Sequence, residues 1–406
     1  MIGIGSRDSP KAVGPVSMPA GVWILGLVSM LMDISSEMIH SLLPLFLVGT
    51  LGVSVLGVGI IEGLAESTAL ISKVFSGALS DYLGKRKGLA VLGYAMGALT
   101  KPVFALANGA GAVVAARFID RVGKGIRGAP RDALLADITP PGIHGAAFGL
   151  RQSLDTVGAF AGPLLATGLM LVWANNFRAV FWVAVIPGAL AVLLLVVGIR
   201  EPEKGRARGA VNPVRREALA RLDRGYWWVV GLGAVFTLAR FSEAFLVLRA
   251  SQLEVPIAWV PLVMVAMNLV YAISSYPFGK LSDTVDHGRL LGAGLVVLIA
   301  ADLVLACASS WIGLGIGVAL WGMHMGMTQG LLAAMVAGAA PEDLRGTAYG
   351  FFNLLSGLAL LASSVTAGVL WDTMGSAFTF YAGAGFAALT LLGMALRPSP
   401  KGHRAA

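Results

Sequence analysis

Three side chains near the start of the chain have the types and spacing to carry a proton: Asp33, Glu37 and His40. They stand at i, i+4 and i+7, which puts them on one face of a helix. Glu62, Glu66 and Lys73 form a second such stripe, and Arg117, Asp120, Arg121, Lys124, Arg127, Arg131 and Asp132 form a third, denser group. Lys101 precedes Pro102, Arg151 stands four residues before Asp155, and Arg240, Glu243, Arg249, Asp302 and His324 are scattered through the second half. A carboxylate in a low-dielectric cavity resists ionisation, and a nearby arginine favours it again. A group balanced between these pulls can load and release a proton as its exposure changes. Arg121 would be the fixed countercharge, because a guanidinium does not deprotonate. The residues expected to couple protons or face a solute are Asp33, Glu37, His40, Glu62, Glu66, Arg117, Asp120, Arg121, Lys124, Arg151, Asp155, Arg240 and Glu243. Arg127, Arg131 and Asp132 are expected to satisfy one another as structural pairs. The cationic groups of the third stripe suit a substrate that carries a carboxylate or phosphate.

The elements that must position these groups are apolar. Of the 406 residues 57% are hydrophobic and 13% charged, with a mean hydropathy of +0.80, whereas soluble domains carry about 25% charged residues. Apolar runs of ~20 residues, enough to cross ~30 Å of hydrocarbon as helix, recur along the chain. Twelve spans are expected, at roughly 20–48, 53–80, 88–107, 110–136, 146–172, 177–199, 226–252, 257–282, 289–308, 311–337, 346–371 and 376–396. The fourth is the weakest by hydropathy because the third charged stripe lies in it. The 53 glycines fit helices that approach closely in lipid, and alternating ten-residue segments of a barrel do not dominate. Each ionisable group inside a span costs about 2.5–3.5 kcal/mol near a helix centre, so each needs a partner or a water-filled cavity.

The net charge of +8 does not imply a nucleic-acid partner. Outside the spans the basic residues sit in short loops on one side, in the tails and in the segment 200–225, and Arg178 stands alone on the other side. By the positive-inside rule both termini and the central loop are cytoplasmic. The expected organisation is a tail 1–19, a six-helix bundle 20–199, a cytoplasmic loop 200–225, a second six-helix bundle 226–396 and a tail 397–406. The first apolar stretch is too long and too charged for a cleaved signal peptide. The lone Cys307 forms no intramolecular disulfide and reads as a packed apolar residue.

The halves repeat. Gly77-Ala78-Leu79-Ser80-Asp81 recurs as Gly279-Lys280-Leu281-Ser282-Asp283, and Pro140, Gly145 and Ala147-Phe148-Gly149 recur as Pro341, Gly346 and Ala348-Tyr349-Gly350. Ser36-Glu37 has a looser echo in Ser242-Glu243. Internal repeats of this kind belong to alternating-access transporters, whose site lies between the halves near the midplane.

On these residues the chain resembles the major facilitator superfamily. The superfamily's loop between helices 2 and 3, G-x-L-x-D-[RK]-x-G-[RK]-[RK], is matched by Gly77, Leu79, Asp81, Gly84, Lys85 and Arg86, with Tyr82 the one departure. Arg121-Val122-Gly123-Lys124-Gly125-Ile126-Arg127 is similar to its R-x-x-Q-G-x-G element, with Lys124 for Gln and Arg127 for the second Gly. Gly158, Gly162 and Pro163 resemble its G-x-x-x-G-P antiporter element, although they also read as a small-residue packing face with a kink. The resemblance implies an all-α integral membrane protein: two six-helix bundles related by pseudo-two-fold symmetry. It implies a gate in which Asp81 sits at the N-terminus of helix 11, near Arg345 and Gly346, with Asp283 mirroring it near Gly145.

The function expected from residues and resemblance together is secondary transport of a small solute, anionic or bearing a carboxylate or phosphate, by rocking of the halves. A proton gradient drives it without a cofactor or metal, export is ahead of uptake, and the protein is a monomer in a bacterial inner membrane. The alternatives are uptake of an organic anion, siderophore or metal complex with protons, a membrane-embedded metal enzyme using His40, Glu62 and Glu66, and a transport-dead sensor. The sequence contains no H-E-x-x-H pair for the enzyme, no P-loop for ATP and no signalling domain. Met323-His324-Met325-Gly326-Met327 offers soft-metal ligands, but only His324 and Met327 share a helix face.

Overall fold

A computed structural model of the chain describes residues 18–83, 86–140, 143–201, 222–282, 284–328, 330–341 and 344–396, with backbone only at 77, 78, 81–83, 345 and 346. Lipid leaves no water to satisfy backbone N–H and C=O groups, so apolar runs must close their hydrogen bonds within themselves. All secondary structure among the described residues is accordingly helical. The N-terminal bundle comprises α1 (Ala20–His40), α2 (Val55–Leu83), α3 (Arg86–Leu106), α4 (Ala110–Ile138), α5 (His144–Val172) and α6 (Phe177–Gly198). The C-terminal bundle comprises α7 (Arg224–Leu238), α8 (Ala244–Gln252), α9 (Leu262–Ser282), α10 (His287–Cys307), α11 (Trp311–Thr328), α12 (Leu331–Ala339), α13 (Arg345–Met374) and α14 (Ser376–Ala395).

The helix ends fall within a few residues of the expected spans, but two spans are not continuous. The seventh breaks at residues 239–243 between α7 and α8, and the tenth breaks between α11 and α12. Gly330, with φ of 75°, takes the left-handed conformation that glycine adopts at no steric cost. In the seventh span the break carries Arg240, Ser242 and Glu243, and irregular backbone at this depth is tolerated where it borders a cavity. The first span also turns after His40, continuing through a π-helical turn at Phe46–Thr50. Among the described residues nine helical stretches are long and apolar enough to cross a membrane. The charged α4 and the two broken spans are not among them.

The packing is pseudo-two-fold. In the first half α1 packs on α5 and α6, α2 on α4, and α3 on α4 and α6; in the second half α7 packs on α13 and α14, α9 on α11, and α10 on α11 and α14. Between the halves α2 packs on α13, and its symmetry mate α9 on α5. The α2–α13 seam is tight at the end opposite the chain termini. A Cβ at Gly59 would lie 2.3 Å from the Ser364 carbonyl oxygen, one at Gly63 would lie 3.0 Å from the Ser364 side chain, and one at Gly368 would lie 2.7 Å from Leu56. Asp372, at the end of α13, accepts a 2.8 Å hydrogen bond from Leu56 N–H in the first turn of α2, an anion at a helix N-terminus. Gly59→Leu is therefore expected to wedge this end open. Even if the overlap costs the closed state only ~1.4 kcal/mol, the open-to-closed ratio rises about tenfold. Spin-label distances across the seam would lengthen, and an unchanged distribution would show that the seam is not tight.

Two arginines close helix ends beside the same surface. Arg178 donates to the Ala105 and Ala107 carbonyls at the end of α3. Arg249, buried, donates to the Leu305, Ala306 and Ala308 carbonyls at the end of α10 and to Ser376 Oγ. Arg249 is thus a capping residue for carbonyls that otherwise lack partners. Arg249→Met is expected to destabilise the protein by about 1–3 kcal/mol for each buried carbonyl left unsatisfied, read as a lower melting temperature in detergent.

Candidate functional site

Two cavities lie between the bundles where the α2–α13 seam parts. The first, of about 410 Å³, is lined by Glu37, His40, Glu66, Arg121 and Lys124 from one half and by Phe236, Arg240, Phe241, Glu243, Trp321, Phe352 and Asn353 from the other. The second, of about 480 Å³, lies nearer the termini end and is lined by Asp33, Lys73, Arg127, Arg131, Asp155, Asn268 and Tyr271. Glu37, Glu66, Leu70 and Lys124 border both. The loose echo of Ser36-Glu37 in Ser242-Glu243 has a spatial counterpart: both glutamates face the first cavity.

Glycines set the positions of the charged stripes. A Cβ at Gly158 would meet Met30 O at 2.7 Å, and one at Gly162 would meet the Glu37 Cβ at 2.7 Å. This half of the Gly158-Gly162-Pro163 element therefore presses α5 against the helix that carries Asp33 and Glu37. On α4, a Cβ at Gly123 would lie 2.7 Å from Gly93 O and one at Gly125 would lie 2.4 Å from Ser72. Helix α4 is thus clamped between α3 and α2 at the height of Arg121 and Lys124.

The stripes then meet as pairs. Arg117 Nε and Nη2 donate to the two oxygens of Glu62 at 3.1 and 2.6 Å, a bidentate geometry that guanidinium favours. His40 Nε2 stands 3.2 Å from Glu62 and its Nδ1 3.5 Å from Glu37. Arg121 Nη1 lies 3.1 Å from Glu66 and its Nε 3.6 Å from Asp120. Lys101 Nζ donates to Asp120 and to Ser36 Oγ, both at 3.0 Å. Arg151 pairs with Asp155 and lies 3.8 Å from Asp132. Glu62, Lys101, Arg117, Asp120 and Arg121 are each at most 3% exposed. Their partners are therefore a physical necessity at this depth.

The expectation that Arg127, Arg131 and Asp132 satisfy one another is corrected in part. Arg131 does pair with Asp132 at 3.0 Å and donates to Ser29 Oγ, but Arg127 stacks over the Tyr94 ring at 4.7 Å. The planar guanidinium finds an aromatic face there instead of a carboxylate. His40, Glu62 and Glu66 offer ligand atoms within 4.8 Å of one another, yet Arg117 already neutralises Glu62 through both oxygens. In the Met-rich stretch, buried His324 places Nδ1 2.8 Å from Gly294 O, and His324 and Met327 are core residues that line neither cavity.

The gate loop is described only in part. Gly84, Lys85 and Asp283 lie outside the described residues, and Gly77, Asp81, Arg345 and Gly346 are described by their backbone alone. Gly279 is an exposed residue of α9. Arg86 pairs with Asp137 and donates to Ala133 O. Glu201 accepts from the backbone N–H groups of Arg86 and Lys87 at 2.7 and 2.9 Å, capping the start of α3.

A sequence profile of the Major Facilitator Superfamily matches residues 25–262 and 241–406. The chain belongs to the Major Facilitator Superfamily. It is 32% identical over 360 residues to an uncharacterized MFS-type transporter of Methanocaldococcus jannaschii, covering 86% of this chain and 88% of that one. Its fold is similar to that of a POT family transporter, with TM-score 0.78, 13% identity and 93% and 96% of the two chains covered. It is also similar to that of human MFSD10, an organic anion transporter, with TM-score 0.64, 19% identity and 93% and 100% covered. The protein is thus a multi-pass membrane transporter of superfamily fold, and its bundle interface is the place where such a fold keeps its solute site. Sequence reasoning did not reach Tyr94 or the aromatic lining of Phe236, Phe241, Trp321 and Phe352. Nothing in an apolar run distinguishes a cavity-facing aromatic from a lipid-facing one.

Proposed function

We propose that this superfamily member is a secondary active transporter that exchanges a small solute bearing a carboxylate or phosphate for protons by alternating access. The observation that carries the reading is the cavity pair itself: acid stripes line it, and the α2–α13 seam closes it at one end. Asp33 faces the second cavity with no hydrogen bond or ion pair among the described residues, so its proton can answer to solvent access. Arg121 serves as the fixed countercharge. Lys124 and Arg240 face the first cavity as cations without a carboxylate within 4.0 Å among the described residues, which suits a solute that bears a carboxylate or phosphate. The protein needs no cofactor or metal, is not an enzyme, and works as a monomer in a bacterial inner membrane with both termini and the central loop cytoplasmic. Export is placed ahead of uptake on the resemblance of the α5 glycine–proline element.

A second reading is proton-coupled uptake of an organic anion, siderophore or metal complex, favoured by the same cationic lining and by the solute class named for MFSD10. Reconstitution with an internal pH dye separates the two. A solute that drives protons against its own movement establishes antiport, and one that carries protons with it establishes symport. Folded protein that moves no protons with any organic anion, drug, sugar or metal complex overturns proton coupling.

A further inference from the structure

The first cavity has three ionic groups left over after its own pairs are drawn. Glu66 is taken by Arg121 at 3.1 Å and Glu37 by His40 at 3.5 Å. Lys124, Arg240 and Glu243 remain, all lining the cavity and none with a side-chain hydrogen bond or an ion pair within 4.0 Å among the described residues. Lys124 is exposed to the cavity from α4, while Arg240 and Glu243 project from the break between α7 and α8. Arg240 rests over the Phe236 ring at 5.7 Å. Phe236, Phe241, Trp321 and Phe352 line the same cavity.

Ionisable groups at membrane depth are costly unless something answers them. An anion alone answers Lys124 or Arg240 and leaves Glu243 facing it with like charge. A cation alone answers Glu243 and meets the two cations. A solute carrying one group of each sign answers both, and an aromatic body fills the space against the rings, where stacking and burial add affinity. We infer that the cavity binds a small aromatic zwitterion, with its carboxylate toward Lys124 and Arg240 and its ammonium toward Glu243. The assignment rests on the reading that this cavity is the solute site, but it concerns binding at equilibrium. It stands or falls independently of whether protons are coupled.

Three probes with one skeleton test it on the purified full-length protein in detergent: phenylalanine, which has both charges; 3-phenylpropionate, which has only the carboxylate; and phenethylamine, which has only the ammonium. By calorimetric titration phenylalanine is expected to bind at least about tenfold tighter than either of the others, one ionic contact being worth ~1.4 kcal/mol or more. Glu243→Gln should weaken phenylalanine and tighten 3-phenylpropionate, closing the gap between them. Lys124→Met should weaken both acids. The probe series on the unmodified protein decides the matter even where a variant does not fold. Absence of saturable phenylalanine binding, equal affinity of phenylalanine and 3-phenylpropionate, or equal weakening of both by Glu243→Gln would each overturn the inference. If phenylalanine binds as stated yet moves no protons in vesicles, the solute class holds and the coupling reading fails.

Discussion

Arg117→Met will deprive the protein of much of its stability, and Glu62→Gln added to it will restore most of what is lost. Glu62 has no exposed surface, and Arg117 supplies both of its guanidinium contacts at 3.1 and 2.6 Å. Removing one partner of such a pair strands a charge in a low-dielectric interior, which costs about 3–5 kcal/mol. Folded domains hold about 5–15 kcal/mol in total, so the single variant should give little monodisperse protein on detergent chromatography and a melting temperature many degrees lower. Replacing Glu62 by the neutral glutamine removes the stranded charge, and the paired replacement of a buried ion pair is often close to neutral. A double variant no more stable than Arg117→Met would mean that the arginine supports the bundle by packing rather than by neutralising Glu62.

Asp33→Asn is expected to do the opposite: to leave the fold intact and abolish proton-driven flux. Asp33 faces the second cavity and holds no partner within 4.0 Å among the described residues, so asparagine breaks no pair. The melting temperature should change by less than about 2 °C, in keeping with substitutions that disturb no packed or paired group. If this carboxylate carries the proton, solute-induced proton movement in vesicles falls to that of protein-free vesicles, while solute binding persists. Flux equal to the parent protein would remove Asp33 from the coupling role and leave Glu37 and Glu66, which border both cavities, as the carboxylates to test next.

The contrast between these two variants shows where sequence reading stops. Glu62 and Asp33 look alike in the sequence: each is an acid in an apolar run with further ionisable groups one or two turns away. Their difference comes from α4, which reaches Glu62 with a guanidinium and leaves Asp33 beside open space. Likewise Arg127 and Arg131 are one turn apart on the same helix, yet one stacks on Tyr94 of α3 and the other pairs with its neighbour Asp132. The glycines of α4 and α5 are visible as small residues, but the helix each one admits is not.

The sequence by itself determined the membrane location, the all-helical bundle pair, the repeat and the superfamily. The first three follow from length, hydropathy and spacing, which act along a single chain and need no partner, and the superfamily from the resemblance of its motifs. It also placed the ionisable groups within the spans, because charges among apolar residues stand out wherever they occur. Only the tertiary structure decided which acids are neutralised and which face a cavity, that the seventh and tenth spans break, and that aromatic residues from α7, α11 and α13 line one cavity together with Lys124. Those outcomes depend on which helices touch, and contact between helices far apart in sequence is set by the packing of whole surfaces rather than by any local pattern.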